Sequence, residues 1–290
     1  MEARISRSQF LAASGIGLAA AGLSGLAARS ARADEASEAP VKVKAAFFSP
    51  TEGTKNAALT VASYISDDIT PVDITTADAR TTDVEFASDE LAIVATPSYG
   101  GQIAKIEGLY TNLKGDNTPC VLVCAFGNRA VENCFANLQS ILSQQGFVVI
   151  GAIGVVTPHV FSAYVGRSRP DADDRAVIAE FAGVIKDKLA NGDLAEIAVE
   201  GTPEVDFEKA LSGPEKIYNA DLCTACGECA SNCPVGAIDP ETLEVDDTVC
   251  ISCQRCTHVC QFGGRSYDVS PMMEFMNGGL RTKQPVTYLA

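Results

Sequence analysis

The sequence has few basic residues and no dinucleotide-binding fingerprint. Its 22 lysines and arginines face 37 aspartates and glutamates, which gives a formal net charge of −15. Nucleic-acid-binding surfaces need a basic footprint, so this balance argues against DNA or RNA as a partner. Gly15 and Gly17 lie in an apolar run with no third glycine at the required place, so they do not form a dinucleotide motif. Direct oxidation of NAD(P)H is therefore disfavoured.

The composition is that of a folded protein. Hydrophobic residues make up 47% and charged residues 20% of the 290 positions. This composition allows a packed core and argues against wholesale disorder. The length has room for one mid-sized domain and one small domain.

Eight of the eleven cysteines form two copies of the spacing C-x2-C-x2-C-x3-C. In two-cluster runs of this kind, three thiolates hold one 4Fe–4S cluster and the fourth ligates the other. The spacing therefore predicts two clusters, whose ligands are Cys223, Cys226, Cys229 and Cys260 for the first and Cys250, Cys253, Cys256 and Cys233 for the second. The doubled motif resembles the bacterial two-cluster ferredoxin module.

Two other roles remain open for these cysteines. Disulfides fit the geometry poorly, because three cysteines within seven residues cannot easily form separate bridges. Zinc also binds C-x2-C pairs, although a run followed by proline is not its usual pattern. One departure from the ferredoxin pattern is visible, since Gln261 follows Cys260 where Pro234 follows Cys233.

The middle of the chain alternates short apolar runs with amphipathic stretches, which predicts a parallel sheet with helices on both faces. Strands are predicted at Val41–Phe48, Thr70–Asp73, Leu91–Thr96, Pro119–Phe126 and Phe147–Val156. Helices are predicted at Thr54–Ser66, Ile106–Leu113, Arg129–Gln145 and Asp171–Leu189. This pattern matches an α/β fold of the flavodoxin-like, doubly wound type, with strand order 2-1-3-4-5. Ligands of such sheets bind beyond the carboxyl ends of the strands, so the loops there are the candidate site.

The loop after the first strand has the composition of an anion cradle. Closely spaced hydroxyls precede a helix N-terminus, whose backbone N–H groups favour phosphate. The loop resembles the flavodoxin phosphate loop, and the resemblance implies FMN binding by Ser49, Pro50, Thr51, Glu52, Gly53 and Thr54. Glu52 stands where that family usually has glycine, and its carboxylate is expected to point to solvent. The alternative is an ordinary strand–helix turn with a threonine N-cap.

Two further loops follow the third and fourth strands. Glycines allow the backbone to approach a flat ring, and a tyrosine can stack on it. Both loops resemble flavodoxin loops that contact the flavin ring, and the expected contacts are Pro97, Ser98, Tyr99, Gly100, Gly127, Asn128 and Arg129. His159 follows the fifth strand and is the one candidate catalytic residue. Cys120, Cys124 and Cys134 lack cluster spacing and are interpreted as small buried hydrophobes.

The first 33 residues have the pattern of an export signal. Arg4 and Arg7 precede the apolar run Phe10–Ala28, and Ala31–Ala33 offers a cleavage site. The start resembles the twin-arginine motif, with Ser8 in place of the second arginine. Because clusters and flavin are inserted in the cytosol, we expect export in the folded state to the periplasm or another extracytoplasmic space. An uncleaved membrane anchor is the alternative.

The chain resembles flavodoxin–ferredoxin fusions of the EFR type. The expected organisation is export signal 1–33, linker 34–40, flavodoxin-like FMN-binding domain 41–200, linker 201–214, two-cluster ferredoxin domain 215–269 of the small α+β type, and tail 270–290. The resemblance implies an electron carrier with two 4Fe–4S clusters and FMN. Its acidity suits a protein redox partner with a basic docking patch. The alternatives are a flavin-dependent reductase of a small acceptor, and a ferredoxin whose flavodoxin domain has lost FMN.

Overall fold

The structure, a computed structural model, describes residues 41–208, 213–278, 280 and 282–290. Its strands are β1 (Lys42–Phe47), β2 (Ile69–Asp73), β3 (Val84–Phe86), β4 (Glu90–Pro97), β5 (Leu113–Gly115), β6 (Thr118–Phe126), β7 (Phe147–Val156), β8 (Glu215–Tyr218), β9 (Arg265–Asp268) and β10 (Thr287–Leu289). Its α-helices are α1 (Gly53–Ile65), α2 (Cys134–Ser143), α3 (Ala172–Asn191), α4 (Glu228–Ser231), α5 (Arg255–Val259) and α6 (Met273–Asn277). The predicted export signal and first linker lie outside the described residues.

A parallel sheet occupies the centre of the molecule. Its five parallel strands have the order β2-β1-β4-β6-β7, which confirms the predicted 2-1-3-4-5 arrangement. The strand β6 is buried along its whole length, as expected for a parallel strand covered on both faces. Such strands appear in the sequence as continuous apolar runs, which is why the alternation of apolar runs and amphipathic stretches located them.

Helices cover both faces of this sheet. Val61 of α1 and Phe181 of α3 pack in one apolar cluster on the first face. Leu138 of α2 packs on the opposite face, in a second cluster. The same second cluster contains Ile251 and Cys253 from the cysteine-rich region. The cysteine-rich region therefore supplies part of the cover of the sheet.

The predicted helix over Ile106–Leu113 is wrong. Gly108 and Tyr110 have φ angles of 70° and 72°, and left-handed residues this close together cannot continue a right-handed helix. The chain turns instead, buries Tyr110 and donates its hydroxyl to the Ala95 carbonyl at 3.2 Å. It then forms β5, which pairs in parallel with β3. The two strands form a small separate sheet that the sequence pattern did not predict.

The predicted helix Arg129–Gln145 is shorter in the structure. The helix α2 begins only at Cys134. Asn128 and Glu132 have positive φ angles, of 62° and 47°, so the residues between them form an irregular loop. That loop belongs to the cavity described below.

The cysteine-rich region has its own small framework. The strands β8 and β9 pair antiparallel, with Glu215 opposite Asp268. The short helices α4 and α5 each begin within one of the two cysteine motifs. Ile238 and Val245 form an isolated bridge between them. These elements agree with the expected small α+β region.

The segments around this region pack on the α/β part. The Asn137 side chain donates to the carbonyls of Thr202, Pro203 and Glu204, within the predicted second linker. At the C-terminus, β10 pairs antiparallel with β7 and extends the main sheet by one strand. The tail, for which the sequence offered no motif, thus returns to the α/β domain.

Candidate cofactor sites

A cavity of about 530 Å³ lies at the carboxyl ends of the parallel strands. Loops after β1, β4, β6 and β7 surround it, as the switch-point rule predicts. Eleven of the residues singled out from the sequence line it: Pro50, Thr51, Gly53, Thr54, Pro97, Ser98, Tyr99, Gly100, Gly127, Arg129 and His159. Three others, Ser49, Glu52 and Asn128, are not among its lining residues.

The loop at residues 49–54 leads directly into α1. The N-cap residue of α1 is Glu52, whose own side chain makes no capping hydrogen bond. Ser49 is buried, and its hydroxyl accepts the Lys55 backbone N–H at 2.9 Å. Thr51, Gly53 and Thr54 line the cavity at the N-terminus of this helix. The loop therefore places two threonines and a helix N-terminus at the cavity. Its first turn is capped by the Ser49 hydroxyl and not by a threonine.

Glu52 occupies the position where glycine is usual in flavodoxin loops. Its backbone is left-handed, with φ 65°, which explains why glycine suits this position. The carboxylate forms an ion pair with Lys55 Nζ at 2.8 Å and lies 3.9 Å from Arg255 Nη1. Its hydrogen bond and charge raise the pKa of Lys55. The Glu52 charge is thus balanced by two cations outside the cavity.

The remaining wall of the cavity combines aromatic side chains with glycines. Tyr99 lines the cavity and packs against the apolar cluster that contains Cys253. Burial, followed by nearby Cys253, raises the pKa of Tyr99 well above its usual value. A Cβ on Gly127 would lie 2.4 Å from Cδ2 of His159. Gly127 is therefore required for the close approach of the His159 ring.

His159 is a neutral side chain at the edge of this cavity. Burial lowers its pKa to about 4. Its Nδ1 accepts the Phe161 N–H at 3.2 Å, which places the ring proton on Nε2. The ring can therefore donate one hydrogen bond at neutral pH.

The two polar residues after Gly127 have other partners. The buried Asn128 side chain donates to the carbonyls of Leu280 at 2.6 Å and Thr282 at 2.9 Å, and accepts the Gln284 N–H at 3.0 Å. The structure thus assigns this amide to the tail, although a flavin contact was expected. Arg129 lines the cavity while its guanidinium binds Glu132 at 2.7 and 3.0 Å.

Several lining residues were not found from the sequence. They come from the loop after β7, the second cysteine motif and the tail, and are Thr157, Pro158, Phe161, Ile251, Ser252, Cys253, Pro271, Met272 and Phe275. Spacing within a motif carries no information about which distant loop it contacts. The sequence had no signal for this wall.

The eight motif cysteines line two separate small cavities. One is lined by Cys223, Cys226, Cys229 and Cys260. The other is lined by Cys233, Cys250, Cys253 and Cys256. Each cavity therefore gathers three cysteines of one motif and the last cysteine of the other, the same two sets as the predicted ligand quartets.

Backbone N–H groups point at several of these sulfur atoms. The Ala225 N–H lies 3.4 Å from Cys223 Sγ, and the Ala237 N–H lies 3.3 Å from Cys233 Sγ. Such donors stabilise thiolates and tune cluster potentials. The pKa of Cys260 is lowered overall: its burial acts upward, while N–H groups from Phe262 to Arg265 outweigh it.

All eleven cysteines are free thiols, including the buried Cys120, Cys124 and Cys134. Among the described residues, no three His, Cys, Asp or Glu side chains meet closely enough for a single metal ion. Each cysteine-lined cavity offers four thiol groups, the number of protein ligands that a 4Fe–4S cluster takes.

We call the cavity at the carboxyl ends of the strands the flavin-type cavity. It shares a wall with one of the cysteine-lined cavities. Ile251, Ser252 and Cys253 line both. The Tyr267 hydroxyl also donates to the Val160 carbonyl at 2.8 Å across this contact. The cavity volume lies within the range of roughly 300–1,000 Å³ that is usual for cofactor sites. The residues present thus fit FMN, whose phosphate Thr51 and Thr54 would hold.

Comparisons with known proteins agree with this geometry where they apply. Residues 216–239 match the model of the 4Fe-4S binding domain, and this match includes the whole first motif. No curated protein matches the sequence significantly.

Three solved structures are each similar to about half of this chain. A flavodoxin from the domain Archaea is 10% identical, with 52% of this chain and 99% of that chain covered and a TM-score of 0.36. A flavodoxin of Streptococcus pneumoniae TIGR4 is 21% identical, with 51% and 99% covered and a TM-score of 0.35. The Flv1 flavodiiron core from Synechocystis sp. PCC6803 is 15% identical, with 53% and 37% covered and a TM-score of 0.36. The main sheet thus has the strand order of a flavodoxin-like α/β fold, and the segment 216–239 matches the 4Fe-4S binding domain.

Proposed function

We propose that this protein is an electron carrier that holds two 4Fe–4S clusters and one FMN. The observation that carries the proposal is Cys253, which lines both the second cysteine cavity and the flavin-type cavity. Bound there, the clusters supply one-electron chemistry and FMN supplies one- or two-electron chemistry. The chain's own contribution is to hold the sites side by side, with Tyr99, Ile251 and Cys253 packed together in one apolar cluster.

The test is anaerobic purification with counts of iron, sulfide and flavin. We expect about eight irons and one FMN per chain. A Cys226→Ser variant should lose about half of the iron and keep FMN, because Cys226 lines a cysteine cavity that shares no lining residue with the cavity at the strand ends. Four or fewer irons in fully loaded wild-type protein would contradict the second cluster. Fully loaded protein without flavin would identify a ferredoxin whose α/β domain has lost FMN.

The partner we propose is a redox protein with a basic docking patch. Cys226 is exposed, and the nearby side chains of Leu222 and Phe262 are 50% and 52% exposed. An apolar spot on a strongly acidic chain suits a partner of opposite charge, whose association slows as salt rises. Reduction by a basic carrier should therefore slow with ionic strength, and a rate independent of salt would contradict this partner.

We also propose export of the folded protein, based on the pattern of residues 1–33. Within the described ranges, no helix has the length and apolar composition that a membrane crossing requires. Intact mass of the protein from its native cells tests the proposal. A chain beginning at Asp34 is expected, whereas a full-length chain in the membrane fraction would favour the anchor.

A second candidate is a flavin-dependent reductase of a small acceptor. It is favoured by His159, whose Nε2 carries a proton beside the cavity. Saturable turnover of quinones by the reduced protein, lost in His159→Ala but not in the exposed variant His258→Ala, would support it. Equal, unsaturable rates in both variants would favour the carrier.

A further inference from the structure

Two arginines bracket Cys233, the cysteine that one motif contributes to the other's cavity. Arg255 Nη2 donates to Asn232 Oδ1 at 3.0 Å. Arg80 Nη2 donates to the Pro234 carbonyl. The residues immediately before and after Cys233 are therefore each held by a guanidinium, one from the second cysteine motif and one from the α/β domain.

Arg255 also contacts the loop at residues 49–54, the phosphate-type loop. Its Nη1 donates to the Pro50 carbonyl at 3.2 Å and lies 3.9 Å from Glu52 Oε1. The side chain is only 15% exposed, and its Nε is buried without a partner among the described residues. The position of this guanidinium is constrained, because moving it would leave further buried polar groups without hydrogen bonds.

Arg80 is connected to the same loop indirectly, through Thr75. Its Nη1 donates to the carbonyls of Ile74, Thr75 and Thr76. The Thr75 hydroxyl in turn accepts the Ser49 backbone N–H at 2.9 Å. The first residue of the loop is thus connected through Thr75 and Arg80 to Pro234.

We propose that Arg255 and Arg80 couple anion binding at the 49–54 loop to cluster binding at the cavity of Cys233, Cys250, Cys253 and Cys256. A bound phosphate fixes the loop and therefore the Pro50 carbonyl and Ser49. The two arginines then hold the Cys233 segment in its ligating position. Coupling between two binding sites is reciprocal, so an intact second cluster strengthens flavin binding by the same factor. The inference rests on the proposed function, since it takes FMN and two clusters as the ligands.

The test measures the FMN dissociation constant in the full chain with clusters loaded. Arg255→Gln should weaken FMN binding about 10- to 100-fold, the cost of losing a charge-assisted hydrogen bond at a buried site. Arg175→Gln makes the same charge change on an exposed position of α3 and should have no effect. Arg255→Lys should give an intermediate affinity, because a single ammonium cannot reproduce the two-sided contact.

Reciprocity distinguishes coupling from a structural role. Cys250→Ser, which removes a ligand of the second quartet, should weaken FMN binding about tenfold in the wild-type background, and little further in Arg255→Gln. Cys226→Ser in the first quartet is the matched control and should leave FMN affinity unchanged. Saturating FMN should also slow iron release to a chelator in wild type and not in Arg255→Gln.

Each outcome decides a separate question. If the wild type binds FMN and about eight irons but Arg255→Gln behaves like Arg175→Gln, the coupling is wrong and the proposed function stands. Additive effects of Cys250→Ser and Arg255→Gln would likewise overturn the coupling. A wild type lacking flavin or half of the iron contradicts the proposed function itself.

Discussion

Replacing Glu52 separates two physical effects at the phosphate-type loop. The backbone of Glu52 is left-handed, with φ 65° and ψ −14°. For a non-glycine residue this conformation lowers the stability of the folded state by about 1–2 kcal/mol. Its ion pair with Lys55, at 2.8 Å, joins side chains that are 36–38% exposed, so the pair contributes only about 0.3–0.5 kcal/mol. The strain therefore exceeds the contribution of the pair.

Two variants isolate these terms. Glu52→Gly removes the strain and the charge, and should stabilise the chain by about 0.5–1 kcal/mol, or about 1–3 °C in Tm. Glu52→Gln removes the charge alone and should destabilise it by about 0.3–0.5 kcal/mol. Both leave Lys55 unpaired beside the anion site, so both should bind FMN about 2- to 5-fold more tightly at low salt.

Anaerobic thermal unfolding measures the first effect, and quenching of FMN fluorescence measures the second. The gain in affinity should shrink at high salt, because the charges are partly exposed. Glu52→Gly that is no more stable than Glu52→Gln would refute the strain argument. Glu52→Gln with the wild-type FMN affinity would refute the charge argument.

Three other predictions test the cavity and the tail. Burial lowers the pKa of His159 from its ordinary value of 6.5 to about 4 in the folded chain, so the unfolded chain binds the proton first as the pH falls. Urea unfolding should show about 3 kcal/mol of stability lost between pH 6.5 and 4 that His159→Gln retains, and equal pH profiles of the two proteins would contradict this. Gly127→Ala places a Cβ 2.4 Å from the His159 ring, so it should destabilise the chain by about 1–3 kcal/mol and weaken FMN binding. The control is Gly183→Ala, whose Cβ meets nothing within 4 Å and which should stabilise α3 by about 0.5–1 kcal/mol. Asn128→Gly keeps the left-handed backbone but removes three hydrogen bonds to the tail. It should lower the stability of the chain by about 2–4 kcal/mol and speed amide hydrogen exchange at Gln284. Unchanged exchange at Gln284 would contradict the role of Asn128 in holding the tail.

Local sequence patterns were sufficient to predict the loops around the cavity and the two sets of cysteines. The four loops around the cavity follow strands that are buried on both faces, and such strands are visible as apolar runs. Because parallel strands end at one edge, their polarity alone brought Thr54, Tyr99, Gly127 and His159 together. The two cysteine quartets follow from spacing, since a run this short can adopt few geometries around a cluster.

Local patterns failed where backbone conformation or distant packing decided the outcome. The segment Ile106–Leu113 has helical composition, yet the left-handed conformations of Gly108 and Tyr110 turn it. Asn128 was expected at a flavin and instead holds the tail, because the tail offers its carbonyls within 3 Å of the amide. Nothing in the last twenty residues indicated that β10 would complete the edge of the main sheet.

The sequence by itself determined a parallel α/β domain, its anion-type loop and two four-cysteine sets. These features depend on periodicity, strand polarity and short spacings, which are properties of neighbouring residues. Only the tertiary structure decided that Cys253 lies in a wall common to two cavities, and that Arg255 and Arg80 join the Cys233 segment to the loop at Pro50 and Ser49. Two of these contacts, Arg255 with Pro50 and Arg80 with Pro234, connect residues 205 and 154 positions apart. They arise because the cysteine-rich region packs on the sheet through Ile251 and Cys253, and no local pattern encodes which surface such a region covers.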